Sequence, residues 1–357
     1  MRVPTSLVLP LLLVSCGEPI NPAEREWIPD QDSPPGKLVT VAKPEAVPIT
    51  VVFYNVENLF DTHDDPGFGD DDFTPGGKLR WTEERYERKL HQLAEAISMA
   101  GAELPVMIGL CEVENKNVVE DLSKTPPLDR GHYEVVHQDS PDERGIDVAL
   151  LVDRKRALVG ETVWLTVDLG ADRTRDILHA TMDLKGTGPL EVFVNHWPSR
   201  REGEQESAPK RMAAARTVRD EVDRLLALDP SARIIIMGDL NDEPLDASLK
   251  KGLITDELIG DDHGADLYDL VGMDRLEPVG SISHKGEWQY FDHLIVSRSL
   301  AFPEKSGLHA VSAAAVKDPH LIFHHPKYGD QPNRTFSGTK YHRDGYSDHL
   351  PVVLRLE

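Results

Sequence analysis

Patterns typical of buried strands recur along most of the chain. Seven runs of aliphatic and β-branched residues are bounded by Gly, Pro or polar residues, as expected of short strands that are buried on both faces. The predicted strands are 49–56, 106–111, 146–152, 190–195, 233–238, 293–297 and 350–354.

Two segments between these runs have the spacing of amphipathic helices. Residues 82–100 place one apolar stripe on a single face, with Thr82 as the predicted N-cap and Glu83 and Glu84 in the first turn. A second helix is predicted from about Pro209 to Leu228. The residues predicted to face inward are Tyr86, Leu90, Leu93, Ala94 and Ile97 in the first helix, and Met212, Val218, Val222, Leu225 and Leu226 in the second. Strands interleaved with helices that each bury one stripe predict packed layers of helix and sheet.

The N-terminus has the pattern of an export signal. Residues 1–15 carry one early positive charge and a short apolar core, and the order Leu13-Val14-Ser15-Cys16 resembles a bacterial lipobox. That resemblance implies cleavage before Cys16, lipidation of Cys16, and attachment to the cell envelope outside the cytoplasm, with the outer membrane preferred because Gly17 follows the cysteine. An ordinary signal peptide with a chance cysteine, or a cytoplasmic start, is the alternative.

The rest of the chain reads as a tether followed by one domain. Residues 16–48 are polar and rich in Pro, which predicts a tether, and no further break in composition divides residues 49–357. Once Cys16 is lipidated, only Cys111 remains, so no internal disulfide is available.

Composition narrows the classes of function. The 357 residues carry a formal net charge of −23. This argues against a protein that holds nucleic acid on a broad basic surface, although it leaves room for a nuclease, which must release its product. Surplus carboxylates also fit a protein that binds divalent cations.

Polar side chains stand where six of the strands begin or end. Asn55 and Glu57 follow the first strand in "YNVENLFD", and Glu112 and Glu114 follow the second in "CEVEN". The remaining boundaries supply Asn195 and His196 in "NHWPSR", Asp239 and Asn241 in "GDLNDEP", Asp292 in "FDHLIVS", and Asp348 and His349 in "YSDHLPV". Carboxylates, carboxamides and imidazoles are the ligands and proton carriers of metal-assisted phosphoryl chemistry.

These six motifs, in this order, resemble those of the endonuclease/exonuclease/phosphatase superfamily, which includes deoxyribonuclease I-like nucleases, abasic endonucleases, sphingomyelinases and inositol-polyphosphate phosphatases. The resemblance covers residues 50–357 and implies an α/β fold, a four-layer α/β/β/α sandwich of two sheets flanked by helices.

The resemblance also implies roles for individual residues. Glu112 would be the principal metal ligand, with Glu57 and Asp348 as further acids on the metal side, and the cofactor would be Mg²⁺ or Mn²⁺, with Ca²⁺ possible. Asn55 would hydrogen-bond a water or the phosphate, while Asp239 and Asn241 would orient the attacking water. His349, oriented by Asp292, would lie at the scissile phosphate, and His196 would assist the leaving oxygen.

Several other residues have two readings. Arg144 and Arg334 are candidate phosphate contacts, and for Arg144 a surface arginine is the alternative. Arg200, Arg201, Lys210 and Arg211 would supply local positive charge, or would form a solvated helix start. The acidic stretch "DTHDDPGFGDDDF" reads as a solvated loop because it lacks the spacing of a Ca²⁺-binding loop.

The predicted function is therefore that of a metal-dependent phosphodiesterase, with nucleic acid as the expected substrate and the membrane as a partner through the lipid. A phosphatase or a phospholipid phosphodiesterase is the runner-up, and a non-catalytic binding lipoprotein is the third reading. No protein partner is indicated.

Overall fold

A computed structural model describes residues 49–258, 261–270, 280–303 and 307–357. The predicted signal peptide 1–15, the lipidated Cys16 and the tether 16–48 lie outside the described residues. Among the described helices, none is both long and apolar enough to cross a membrane.

The described residues form nineteen strands and four α-helices. The strands are β1 Ile49–Leu59, β2 Met107–Val113, β3 Tyr133–His137, β4 Asp147–Asp153, β5 Ala157–Leu165, β6 Ile177–Leu184, β7 Gly188–His196, β8 Ile234–Asp239, β9 Thr255–Glu257, β10 Leu267–Asp269, β11 Ile282–His284, β12 Glu287–Gln289, β13 Asp292–Ser297, β14 Ala310–Ala315, β15 Ile322–His325, β16 Gly329–Pro332, β17 Phe336–Ser337, β18 Lys340–Tyr341 and β19 Val352–Leu356. The helices are α1 Glu83–Ser98, α2 Lys116–Lys124, α3 Glu204–Leu228 and α4 Arg298–Ala301. A π-helix spans Ser248–Leu253, and 3₁₀ turns span Asp71–Phe73, Leu128–Gly131, Arg200–Glu202 and Pro319–Leu321.

Two large mixed sheets hold most of the strands. One has the order β14-β19-β1-β2-β4-β3 and the other has the order β5-β6-β7-β8-β13-β10-β9. Between the sheets lies a core that includes Phe53 of β1, Leu150 of β4 and Met237 of β8, all fully buried. The α1 and α2 helices cover the outer face of the first sheet, and α3 with the π-helix covers the second. The predicted α/β/β/α sandwich is thus confirmed.

All seven predicted strands are present, with ends that differ from the prediction by a few residues. The β5–β6 pair was not predicted. In β5 the exposed and half-buried positions outnumber the buried one, because this strand lies at a sheet edge, so it lacks the continuous apolar run of the inner strands.

Both predicted helices form, and each differs from its prediction at the N-terminus. Thr82 directly precedes α1, but its side chain makes no capping hydrogen bond; the carbonyl of Thr82 accepts from the Arg85 and Tyr86 amides instead. The α3 helix begins at Glu204 rather than Pro209, so Pro209 lies inside the helix. Proline is common at the first helical position, which is where the prediction placed Pro209, but here it is the sixth residue of the helix.

Candidate active site

The registers of the two sheets bring the chemistry of the strand ends together. In the second sheet His196 pairs with Asp239 across β7 and β8, and Asp239 pairs with Asp292 across β8 and β13. In the first sheet Asn55 of β1 pairs with Cys111, next to Glu112 of β2. Strand ends from both sheets therefore contribute residues to one buried cluster.

His349 and Asp292 form a buried pair in this cluster. The Nδ1 atom of His349 lies 2.6 Å from Asp292 Oδ2. Burial alone would lower the pKa of His349, but the Asp292 carboxylate outweighs that effect and raises the pKa of His349 well above its ordinary value. The pair thus favours the protonated form of the imidazole, and the contact with Asp292 holds the orientation of the ring.

Asp239 lies at the centre of the cluster. Asn55 Nδ2 donates to Asp239 Oδ2 (3.1 Å), and the Asn241 amide donates to Asp239 Oδ1 (3.0 Å). The Nε2 atoms of His349 and His196 each lie 3.8 Å from Asp239 Oδ2. Burial raises the pKa of Asp239 to about 7, and the neighbouring His349 opposes that rise.

His196 connects Asp239 to Glu112. Its Nε2 lies 3.9 Å from Glu112 Oε1, and its Nδ1 is buried without a hydrogen-bond partner among the described residues. Burial and the nearby Arg175 and Arg144 lower the pKa of His196 well below its ordinary value. The pKa values of the two histidines beside Asp239 are therefore shifted in opposite directions.

Three of the site residues have backbone angles that most side chains avoid. The φ angles are +51° for Glu57, +63° for Glu112 and +53° for Asn241, all in the left-handed region. Such conformations cost on the order of 1 kcal/mol for a residue other than glycine, and they are common at functional sites. At Glu112 the turn coincides with an irregularity in the register of β1 and β2, and the Asn58 amide donates to Glu112 Oε2 (3.1 Å).

Glu57 lies beside the cluster with both carboxylate oxygens in use. The Thr335 and Phe336 amides donate to Oε2 and Oε1 at 2.5 and 3.0 Å. Burial, followed by the nearby Asp348, raises the pKa of Glu57 to about 7. The structure thus places Glu57 and half-buried Asp348 near each other, with Glu57 anchoring the 335–336 segment.

The group of possible metal ligands in this cluster differs from the predicted one. Ligand atoms of Asp239, Asp292 and His349 all lie within 4.8 Å of one another, a distance that no group containing Glu112, Glu57 or Asp348 meets among the described residues. Two observations nonetheless fit a cation in this cluster. Glu112 Oε1 makes no hydrogen bond to a described residue, and its contact with His196 Nε2 is 3.9 Å long. Asp292 Oδ1 is buried and has no hydrogen-bond partner among the described residues.

A basic pocket of about 220 Å³ opens beside His196. Its lining includes Arg144, Arg173, Arg175, Arg201 and Lys210 against only two acidic residues, Asp142 and Glu202. Arg144 and Arg201 are close enough for their charges to lower the pKa of His196. In a chain of net charge −23, this concentration of cations beside the buried cluster is a local reversal of charge.

The arginines of the α3 start divide between two roles. Arg200 and Arg211 are ion-paired with Asp242 at 2.8 and 2.6 Å, so they hold the loop after β8. Lys210 pairs with Asp172 and Glu202, while Arg201 has no ion pair or hydrogen bond to any described residue. Arg334 lines no part of the basic pocket, and it precedes the Thr335 amide that binds Glu57.

Two buried cations of the site were not predicted. Lys89 of α1 is buried and donates to Thr335 Oγ1 and the Tyr346 carbonyl, both at 2.6 Å. Arg175 is buried and donates to the carbonyls of His196 (3.1 Å) and Trp197 (2.6 Å) and to Asp142 Oδ2 (2.9 Å). The signal for Lys89 is its place on the apolar stripe of α1, three residues after Tyr86 and four before Leu93.

Comparison with known proteins decides the family. Residues 50–357 match the Endonuclease/Exonuclease/phosphatase family, which is most of the chain. The chain belongs to this family. A comparison with curated proteins gave no match.

Several solved structures share the fold at low sequence identity. An endonuclease/exonuclease/phosphatase family protein from Bacteroides thetaiotaomicron is 16% identical with a TM-score of 0.53, over 87% of this chain and 97% of the other. TDP2 of D. rerio, in complex with a single-strand DNA product, is 13% identical with a TM-score of 0.53, over 87% of this chain and 100% of the other. A mannosyl-6-phosphatase from Bacteroides thetaiotaomicron is 17% identical with a TM-score of 0.52, over 87% and 99%. At these identities the likeness establishes the fold.

Proposed function

We propose that this family member is a divalent-metal-dependent phosphodiesterase that hydrolyses nucleic acid. The observation that carries the proposal is the meeting of Glu112, Asp239, His196 and His349 at one point, with His196 and His349 each 3.8 Å from the same Asp239 oxygen. Membership of the family supports a phosphoric ester hydrolase, and enzymes of this family use divalent metals.

The side chains divide the work of hydrolysis. Asp239 is held by Asn55 and the Asn241 amide, with lone pairs left to orient and deprotonate an attacking water. His349 presents a positive charge to a phosphate oxygen, and neutral His196 lies where it can bind the leaving oxygen. Glu112, with Asp348 and Glu57 behind it, would hold the cation, which neutralises phosphate charge when bound.

The basic pocket favours a diester within a polyanion. Nucleic acid carries a phosphate on each side of the scissile one, and the unpaired Arg201 next to His196 is suited to bind such a neighbour. A phosphomonoester that carries no other charged group has no second phosphate to bind in this pocket. The DNA product bound to D. rerio TDP2 is consistent with nucleic acid as substrate.

We further propose that the enzyme works outside the cytoplasm of a bacterium, held at the outer membrane by a lipid on Cys16. The support is the lipobox-like sequence and the Pro-rich residues 16–48 before the domain. In the expressing cell, wild-type protein should sediment with membranes and Cys16→Ala should not. Equal partition of the two would remove the anchor from the proposal.

A substrate panel tests the activity. The purified full-length chain is incubated with plasmid DNA, RNA, inositol phosphates, sphingomyelin and mannose 6-phosphate, each with Mg²⁺, Mn²⁺ or Ca²⁺, or with EDTA. We expect metal-dependent cleavage of nucleic acid that is lost in His349→Ala. Turnover confined to monoesters would make the protein a phosphatase, and no turnover of any substrate would favour a binding protein.

A further inference from the structure

A second cluster of acidic residues lies at one end of three inner strands of the six-stranded sheet, apart from the catalytic cluster. Three neighbouring strands meet there, because Leu59 of β1 pairs with Val113 of β2 and Val113 pairs with Asp147 of β4. The loops at these strand ends enclose a cavity of about 60 Å³. Five carboxylates line it, and no Lys, Arg or His does: Asp65, Asp70, Glu114, Asp139 and Asp147.

Two of these carboxylates are buried and each has one oxygen without a partner. Glu114 is 7% exposed and Asp70 is 1% exposed. The Asp61 amide donates to Glu114 Oε2 (2.7 Å) and the Asp65 amide donates to Asp70 Oδ2 (2.9 Å). Glu114 Oε1 and Asp70 Oδ1 are buried with no hydrogen-bond partner among the described residues. Buried carboxylate oxygens are costly unless something compensates them.

The other carboxylates surround this inner pair. Asp147 is held by the Ser140 amide (2.9 Å) and by His137 Nε2 (3.1 Å). Asp139 is mostly exposed, with a side chain 75% accessible, so it stands at the mouth of the cavity. The Gly69 amide donates to the Glu143 carbonyl (3.1 Å), which ties the two loops that carry these acids to each other.

We propose that this cavity binds a divalent cation, separate from the cation of the catalytic cluster, with Asp70 and Glu114 as inner ligands and Asp65 and Asp139 at its mouth. All donors are carboxylate oxygens, a ligand set that suits Ca²⁺, whose coordination is less strict than the octahedron of Mg²⁺. The volume accommodates one cation with water. The bound ion would fasten the loops after β1 and before β4 to the end of β2, two residues beyond Glu112.

Calcium binding to the full-length, EDTA-stripped protein tests this site directly. Isothermal titration with Ca²⁺ alone and thermal unfolding with and without Ca²⁺ are compared for wild type, the double variant Asp70→Asn/Glu114→Gln, and Glu112→Gln. The last variant is the matched control, because it removes a neighbouring carboxylate of the catalytic cluster and leaves the cavity intact. Neither readout depends on turnover, so the result is independent of the proposed nuclease activity.

We expect wild type and Glu112→Gln to bind Ca²⁺ at this site and to gain thermal stability from it. The double variant should lose both, with affinity at least 100-fold weaker, while its metal-free form unfolds no lower than metal-free wild type because repelling charges are gone. An undiminished Ca²⁺ stoichiometry and Tm shift in the double variant would overturn the site. If the double variant does not fold, Asp139→Asn replaces it: about 10-fold weaker binding supports the site and unchanged binding overturns it.

Discussion

The Nδ1 atom of His349 lies 2.6 Å from Oδ2 of Asp292, and both residues are buried. A second buried pair of the same kind stands one residue further along β13, where His293 Nδ1 lies 2.7 Å from Asp269 Oδ2. His349 faces Asp239 with its other ring nitrogen, whereas His293 faces the Asp242 carbonyl at 2.9 Å. The two His–Asp pairs have the same chemistry, but only the His349 pair faces Asp239. Comparing variants of the two pairs therefore distinguishes an effect on catalysis from an effect on stability.

Replacing Asp292 with Asn should reduce kcat by about 1,000-fold with a smaller effect on KM, because the charge and orientation of His349 are no longer fixed. The measurement is steady-state cleavage of a DNA substrate as a function of pH. Asp269→Asn is the control, expected to lower stability while kcat stays within a few-fold of wild type. Equal losses of kcat in the two variants would contradict a special role for the His349 pair.

The Glu112→Gln variant should need at least about 10-fold more Mg²⁺ for half-maximal activity, since a carboxylate whose Oε1 makes no hydrogen bond to a described residue loses its charge. A Mg²⁺ titration of nuclease activity measures this. Glu103→Gln, on an exposed loop, serves as the control and should match wild type. An unaltered titration in Glu112→Gln would place the cation elsewhere, with Asp239 and Asp292 as the first alternative.

Arg201→Ala should raise KM for DNA about 10-fold with kcat within twofold, because an unpaired guanidinium beside His196 binds a flanking phosphate rather than the reacting one. The dependence of log KM on log salt should also become shallower by about one phosphate contact. Arg216→Ala, which removes an exposed arginine of α3, is the control. A KM that does not move would remove the basic pocket from substrate binding.

The sequence predicts where the strands end, but it does not predict which strand ends lie next to each other. Period and apolar runs locate β1, β2, β7, β8, β13 and β19, and the polar residues at their ends are visible as interruptions of those runs. The pairing of His196 with Asp239, and of Asp239 with Asp292, depends on the register between strands that are distant in sequence. The family resemblance supplied what local pattern lacks, which is the expectation that these ends share one site.

Buried charges were the least predictable part of the site. Lys89 lies on the apolar stripe of α1, which hints at its burial, but Arg175 looks like a surface residue in the sequence. Only tertiary contacts supply the carbonyl partner of Lys89 and the carboxylate partner of Arg175. Arg200 and Arg211 were grouped with Arg201 and Lys210 as local positive charge, but their ion pairs with Asp242 fix the loop after β8 instead. Asp242 itself follows the predicted Asn241, yet no local pattern shows that two arginines converge on it.

Gly238→Ala should destabilise the fold by about 3 kcal/mol or more, since a Cβ at this position of β8 would lie 2.5 Å from the Asn195 carbonyl oxygen and Cβ. Gly109→Ala in β2 is the matched control. Its Cβ would lie 2.8 Å from Met237 Sδ, on a flexible side chain that can move aside, so we expect about 1 kcal/mol. Urea unfolding of both variants measures the difference, and equal losses would contradict the close packing of β7 on β8.

The His293–Asp269 pair should make stability fall at alkaline pH. Burial alone would lower the pKa of His293, but Asp269 and the Asp242 carbonyl outweigh it and raise the pKa to about 9. Because the folded-state pKa lies above the unfolded value of about 6.5, the stabilisation is complete below pH 6.5 and is lost as pH rises through about 9. The free energy of unfolding of wild type relative to His293→Gln should therefore shrink by on the order of 3 kcal/mol between pH 6.5 and 9.5. Chemical unfolding of both proteins across that range measures the change. A constant difference would mean that His293 has the same charge in the folded and unfolded states.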